Sequence, residues 1–345
     1  MSALIEKHPQ AAGALLTALG GIGWGVSGTC GQYLFTQKGV TSFWLVPLRL
    51  LLAGILLLSW EAVKNPRQLL GPWRSKEDRT QLLIYGLAGI TLCQLSYFGT
   101  IQLSTAGVAT ILQSLSPVFI LLYTCRAVRR RPAGREVGSI VLALAGVCLI
   151  ATHGRLNDLA VSPQALAVGT LSAFTVMVYN VRPAWFLRRW PAPLLQGWSF
   201  LMGGLLLCAV FRPWQYPVAL DAGVLAGLAG VILLGNLIAF NCYMTGVRLI
   251  GPGKGILYGF SEPVAAAICS SVWLGAPFTG WDAAGFACIF LTLALLNAPA
   301  QRPGAPPPRG AARPPDRLNA DVSPLPRREY LSFDKQVSFV LYLSH

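Results

Sequence analysis

The 345-residue sequence predicts an all-α membrane protein, with ten transmembrane helices arranged as two inverted five-helix repeats. Three observations predict it. The chain is 54% hydrophobic and only 12% charged, whereas soluble domains carry roughly 25% charged residues. Apolar runs long enough to span a bilayer recur along the chain. The density of Lys and Arg alternates from one connection between runs to the next.

A span needs about 20 mainly apolar residues. Such runs occur at 11–34, 43–60, 81–101, 105–125, 137–152, 164–181, 192–211, 223–247, 254–274 and 281–299. The first run is long and has one nearby basic residue, Lys7, so it reads as a span rather than a cleaved signal. A short turn at Ser104 separates the third run from the fourth, and Gly251-Pro252-Gly253 separates the eighth from the ninth. From residue 300 onward the composition changes to Pro and Arg with little to bury, which predicts a disordered tail over 300–345. The stretch 336–341 within it is too short to span and suits at most a surface contact.

Basic residues set orientation. With the N-terminus in the cytoplasm, the inner segments and tail hold 23 Lys and Arg, the outer segments hold Lys38, Arg155 and Arg212, and Arg49 lies within the second span. This predicts a multi-pass protein of a bacterial-type inner membrane with both termini cytoplasmic. The net charge of +14 is therefore topological. No basic, aromatic-interleaved soluble domain is present, so nucleic acid is not expected as a partner. The eight cysteines, Cys30, Cys93, Cys125, Cys148, Cys208, Cys242, Cys269 and Cys288, form no C-x-x-C pair. They read as small hydrophobes in helix packing.

Residues 97–118 align without gaps on 243–264, an offset of 146, with identities at Tyr97/Tyr243, Leu103/Leu249, Gly107/Gly253, Pro117/Pro263 and Val118/Val264. Both windows cover a span end, a tight turn and half of the next span, with a proline mid-span. The repeat unit is then five spans, over 1–152 and 153–299. An odd number inverts the second copy, a design that lets two halves exchange roles between inward-open and outward-open states.

Four stretches complete a pattern: Gly23-Trp24-Gly25-Val26-Ser27-Gly28 in the first span, Arg49-Leu50-Leu51-Leu52-Ala53-Gly54 in the second, Ser116-Pro117-Val118 in the fourth and Ser261-Glu262-Pro263-Val264 in the ninth. With the hydropathy, these make residues 11–299 resemble the ten-helix drug/metabolite transporter superfamily, with two EamA-like halves. The nearest branch is that of carboxylate, amino-acid and amine transporters. The resemblance implies secondary, not ATP-driven, efflux of a small metabolite. The implied cavity is lined by spans one, three, four, six, eight and nine.

Ionisable groups at membrane depth are costly and so default to functional candidates. Two lie well inside spans, Arg49 and Glu262. Glu262 precedes Pro263, whose ring removes a backbone hydrogen bond and leaves the Gly259 carbonyl without its helical donor. A carboxylate beside such a break suits a proton or an amine, hence proton-coupled transport. Alternatively it fixes packing through a buried ion pair. Ser116 takes its place before Pro117 in the first half, so the role is asymmetric. Arg49 either binds a substrate carboxylate, pairs with Glu262, or snorkels to the outer surface.

Polar residues at depth either join helices or line a wet cavity. The set comprises Trp24 and Ser27; Gln94 and Tyr97; Gln113 and Ser114; Tyr179 and Asn180; Asn236, Asn241 and Tyr243; and Tyr258 and Ser261. Gln113 and Asn236 rank first, being near mid-span on spans that the resemblance places around the cavity. Gly21 with Gly25, and Gly251, Gly255 and Gly259, permit close helix approach or act as hinges, as Pro117 and Pro263 do.

Several motifs mislead. Gly23 to Gly28 matches G-x-G-x-x-G, but within an apolar span rather than between strand and helix. The Ser27 context would need a base at depth for protease chemistry, and His8, His153 and His345 all lie away from mid-span. Lys254 has no P-loop around it. No metal or cofactor is expected, and the chain does not read as an enzyme. The expected activity is secondary export of small polar metabolites such as amino acids, amines or carboxylates. The alternative is a passive channel or facilitator on the same helices. A sugar-phosphate antiporter would require more mid-membrane Lys or Arg than Arg49. Substrate, coupling ion and oligomeric state are not legible.

Overall fold

The computed structural model describes residues 8–127, 129–152, 161–181, 186, 189–250, 255, 258–259 and 261–297. The tail over 300–345, the Gly251-Pro252-Gly253 turn, Lys254, His153 and Arg155 lie outside the described residues. Within them every regular element is helical.

The rods run in order. α1 is Pro9–Gln37 and α2 is Ser42–Lys64. α3 joins Lys76–Leu83, a π-helical stretch Ile84–Thr91, and Leu92–Leu103. α4 comprises Ala106–Gln113 and Ser116–Ala127. α5 is Gly134–Thr152, α6 Pro163–Asn180 and α7 Ala192–Phe211. α8 joins Ala222–Ala229, a second π-helical stretch Gly230–Ile238, and Ala239–Ile250. α9 is Ser261–Leu274 and α10 is Gly280–Asn297. Six of these, α1 to α4, α7 and α8, are long and apolar enough to cross a membrane. The protein is therefore an all-helical membrane protein.

The helix ends follow from local chemistry. The Ser75 hydroxyl accepts from the Asp78 amide at the start of α3, and the Asp221 carboxylate accepts from the Val224 amide at the start of α8. Glu136 turns back to accept from the Ala133 amide before α5, and Asp282 accepts from the Thr279 amide before α10. α4 ends with Arg129 in the left-handed region (φ 55°), Arg130 N–H donating to the Cys125 carbonyl at 2.9 Å and Arg129 N–H to the Arg126 carbonyl at 3.3 Å. This is a Schellman closure.

Each member of these cap pairs recurs 146 positions on: Ser75 with Asp221, and Glu136 with Asp282. The helix starts do the same, with Lys76 and Ala222, Ile84 and Gly230, and Gly134 and Gly280. The packing follows the same rule. α1 lies against α8 and α9, α6 against α3 and α4, α2 against α7, α4 against α9, and α5 against α10. Exchanging each helix for the one five further on leaves this set unchanged.

Pro117, read from the sequence as a helix-break or hinge residue, stands just after a break. α4 breaks at Ser114 and Leu115, and Pro117 is the second residue of a new helical piece. That is where proline fits, since its missing amide hydrogen has no helical partner there. Val118 N–H turns instead to the Leu115 carbonyl at 2.9 Å. Pro263 lies in Ser261–Leu274; residue 260 lies outside the described residues, and Tyr258 and Gly259 before it are helical.

Apolar faces point outward, as lipid requires. Leu15, Leu19 and Ile22 make an exposed stripe on α1, and Leu52, Ile55 and Leu56 one on α2. The polar residues face inward. Thr17, Ser96, Thr100 and Ser199 are buried, each with its hydroxyl donating to a carbonyl three or four residues earlier on its own helix.

Candidate functional site

The site forms where α1, α2, α3, α8 and α9 converge, with α4 and α6 beside them. Glycine makes the convergence possible. A Cβ at Gly25 would lie 2.5 Å from the Glu262 carbonyl oxygen and 2.8 Å from Ala266 N, and one at Gly21 would lie 3.1 Å from Glu262 N. Only a bare backbone lets α9 approach α1 this closely. Ser261 Oγ donates to the Ala18 carbonyl at 2.8 Å and fixes the contact.

Glu262 is thereby held inside the bundle at intermediate exposure. It has neither ion-pair nor hydrogen-bond partner among the described residues. The groups within electrostatic reach of its carboxylate are the hydroxyls of Tyr97, Tyr179 and Tyr243 and the thiol of Cys93. The sequence expected an acid at depth beside a helix break, and the structure puts three tyrosines within electrostatic reach of that acid.

Arg49 does not snorkel and does not pair with Glu262. It is 3% exposed, and its Nη2 donates to Asn236 Oδ1 at 2.7 Å. Its guanidinium lies over the Phe98 ring, 4.1 Å from the centroid, a cation–π contact. The sequence placed Arg49 near the end of a span but not its rotation about the helix axis, and that rotation turns it inward. Asn236 sits on the π-helical stretch of α8, where the extra residue per turn resets which side chains face the interior. Its counterpart 146 positions earlier is Ile90, on the other π-helical stretch.

Trp24 Nε1 donates to the Gly235 carbonyl at 2.8 Å, and its ring lies 4.9 Å from that of Tyr243. Tyr179 packs against Gly89 of α3 and lies 6.0 Å from the Tyr85 ring. Gln113 Nε2 donates to Ser172 Oγ at 2.7 Å and to Cys93 Sγ at 3.3 Å, joining α4, α6 and α3. Ser116 is half-buried at the start of its helical piece. Two of the predicted polar residues fall elsewhere. Tyr258 is 42% exposed, and Asn241 is exposed with its amide turned back to the Leu237 carbonyl. Asn180, Ser114 and Ser27 spend their donors on the carbonyls of Val176, Thr110 and Val231.

Sequence reasoning missed Gln32, Ser172 and Phe98. Gln32 Oε1 accepts from the Ala106 amide at 2.8 Å and from Ser270 Oγ at 2.7 Å, tying α1, α4 and α9 together. A glutamine inside the first apolar run was the available signal.

A helical bundle with ionisable groups in its interior and apolar faces outside fits a membrane transporter. The EamA-like transporter family matches the chain twice, over residues 11–152 and 164–298, and the chain belongs to that family. The resemblance to drug/metabolite transporters read from the motifs holds. The family is one of transporters rather than enzymes. The chain is 30% identical over 290 residues to the inner membrane transporter YicL of Salmonella typhimurium, covering 84% of this chain and 96% of that protein. It is 23% identical over 261 residues to the protein PecM of Dickeya dadantii, covering 72% and 81%. A solved crystal structure with 17% identity superposes with a TM-score of 0.57 over 83% of this chain and 96% of its own, which speaks for the fold alone.

Proposed function

We propose that this protein is a secondary active transporter that exports small metabolites, among them amino acids, amines or carboxylates, by alternating access. In this reading ten spans form two inverted halves that rock about the α2–α7 and α5–α10 crossings. Both termini lie in the cytoplasm, and a bacterial-type inner membrane holds the protein. The observation that carries the reading is the position of Glu262. It is a carboxylate without a partner among the described residues, at the junction of α1 and α9, within reach of three tyrosine hydroxyls.

A frame whose main helix crossings repeat, but whose chemistry does not, supports this. Glu262 and Asn236 stand in one half where Ser116 and Ile90 stand in the other. Two interchangeable halves supply the two accessible states, and one acid supplies a coupling group that titrates as its exposure alternates. Gln113, Tyr97, Tyr243, Tyr179 and Trp24 then line the path.

The test is Glu262→Gln in proteoliposomes. Counterflow of radiolabelled amino acids is expected to persist in this variant but to lose its dependence on a pH gradient. Coupling that survives the substitution removes Glu262 from the mechanism.

A further inference from the structure

Among the described residues the buried Arg49 guanidinium has no carboxylate bonded to it. Its recorded polar contact is a neutral oxygen, Asn236 Oδ1, while its Nε and Nη1 are buried without a hydrogen-bond partner. Asn236 Nδ2 and the Tyr97 hydroxyl are in the same condition. Arg49 and Asn236 are in contact, and the Tyr97 hydroxyl lies within electrostatic reach of the guanidinium. Four donor atoms, one of them on either edge of a cation, therefore gather with nothing to accept from them. Leaving such a cation desolvated without an anion is strongly unfavourable. Phe98 beneath the guanidinium stabilises one face and leaves Nε and Nη1 at its rim without partners.

From these donors we infer that Arg49, Asn236 and Tyr97 form a subsite for one carboxylate group of a small solute. The inference takes its physiological meaning from the transport reading above and deepens it. A guanidinium edge matches the two oxygens of a carboxylate. A single cation neutralises a single negative charge, which a phosphate dianion would exceed. Tyr97 and Cys93 are each within electrostatic reach of both Arg49 and Glu262. The rest of the solute therefore runs along them toward the acid. Its far end is neutral or cationic, and a second carboxylate there meets repulsion from Glu262. The class is monocarboxylates with a neutral or ammonium-bearing tail, and short dicarboxylates are rejected.

The experiment uses the full chain in nanodiscs. The thermal shift is titrated with each common amino acid, its carboxamide, short monocarboxylates and glutarate. At least one monocarboxylate is expected to stabilise the protein, with its carboxamide about tenfold or more weaker and glutarate without effect. Arg49→Gln is expected to erase the difference between acid and amide. Tyr97→Phe, which removes one neutral donor and keeps the ring, is expected to weaken the acid by about threefold to tenfold and leave the amide unchanged; it serves if Arg49→Gln does not elute as a single species.

Three results overturn the proposal: no carboxylate-dependent shift anywhere in the panel, amides equal to acids in the wild type, or a preference for acids untouched by both variants. Carboxylate preference without counterflow contradicts the transport reading and leaves the subsite standing. Counterflow of a solute lacking a carboxylate, undiminished in Arg49→Gln, does the reverse.

Discussion

Gly54 and Leu201, and Gly204 and Leu51, meet as a reciprocal pair across α2 and α7. A Cβ at Gly54 would collide with Leu201 N, and one at Gly204 with Leu51 N. Backbone atoms cannot step aside as a flexible side chain can. Gly54→Ala is therefore expected to destabilise by about 1–3 kcal/mol through overpacking. Gly99→Ala, whose Cβ meets nothing nearer than 3.4 Å, is expected to be neutral or mildly stabilising. Thermal unfolding of both variants in detergent checks the pair, and equal melting temperatures would contradict the close crossing. At this scale the sequence shows which residues are costly in lipid, and so it finds Glu262, Arg49, Asn236, Tyr97 and Gln113. It does not show azimuth. Tyr258 and Asn241 are as polar as Tyr243 and Asn236, and only packing decides that the first pair faces outward.

At the scale of elements, the start of α5 rests on a bidentate pair. Arg130 Nη1 and Nη2 donate to the Glu136 oxygens at 2.7 and 2.8 Å, and the same carboxylate accepts from the Ala133 amide. The Arg130 guanidinium, with the Ala133 amide adding to it, holds the Glu136 carboxyl below its ordinary range. A depressed native value means that the contribution is fully present above the unfolded-chain value of about 4.3 and is lost as pH falls through the lower native value. Glu136→Gln is expected to lower the melting temperature at neutral pH and to flatten the decline below about pH 4. A variant whose acid limb matches that of the wild type would show that the pair adds nothing.

The bounds of the six helices long and apolar enough to cross a membrane were legible at this scale to within a few residues, because length and apolarity set them. The π-helical stretches Ile84–Thr91 and Gly230–Ile238 were not. Each holds two glycines, which weaken a helix without specifying a widened turn; the first packs against α6 and α7 and the second against α1 and α2. The break in α4 was half legible: Pro117 signals it, but the proline begins the second piece rather than bending one helix.

For the whole molecule, the offset of 146 read from five identities reappears in helix starts, in caps and in the helix–helix contacts. The α5–α10 crossing illustrates the last. Gly146 meets Gly285, while Thr292 Oγ1 donates to the Ser139 carbonyl at 3.2 Å, and adding the offset to one contact yields the other. In the proposed transport cycle, self-similar crossings of this kind are what rocking halves would need. A frame alone does not distinguish a carrier from a channel, since both use helices around a polar path. The difference lies in whether one binding site serves both sides of the membrane in turn.

Counterflow measures that difference directly. Proteoliposomes preloaded with unlabelled solute and diluted into trace labelled solute are expected to accumulate label transiently. The initial rate is expected to saturate and to rise with solute on the opposite side. Flux that grows linearly with concentration and ignores the internal solute would contradict the alternating-access account.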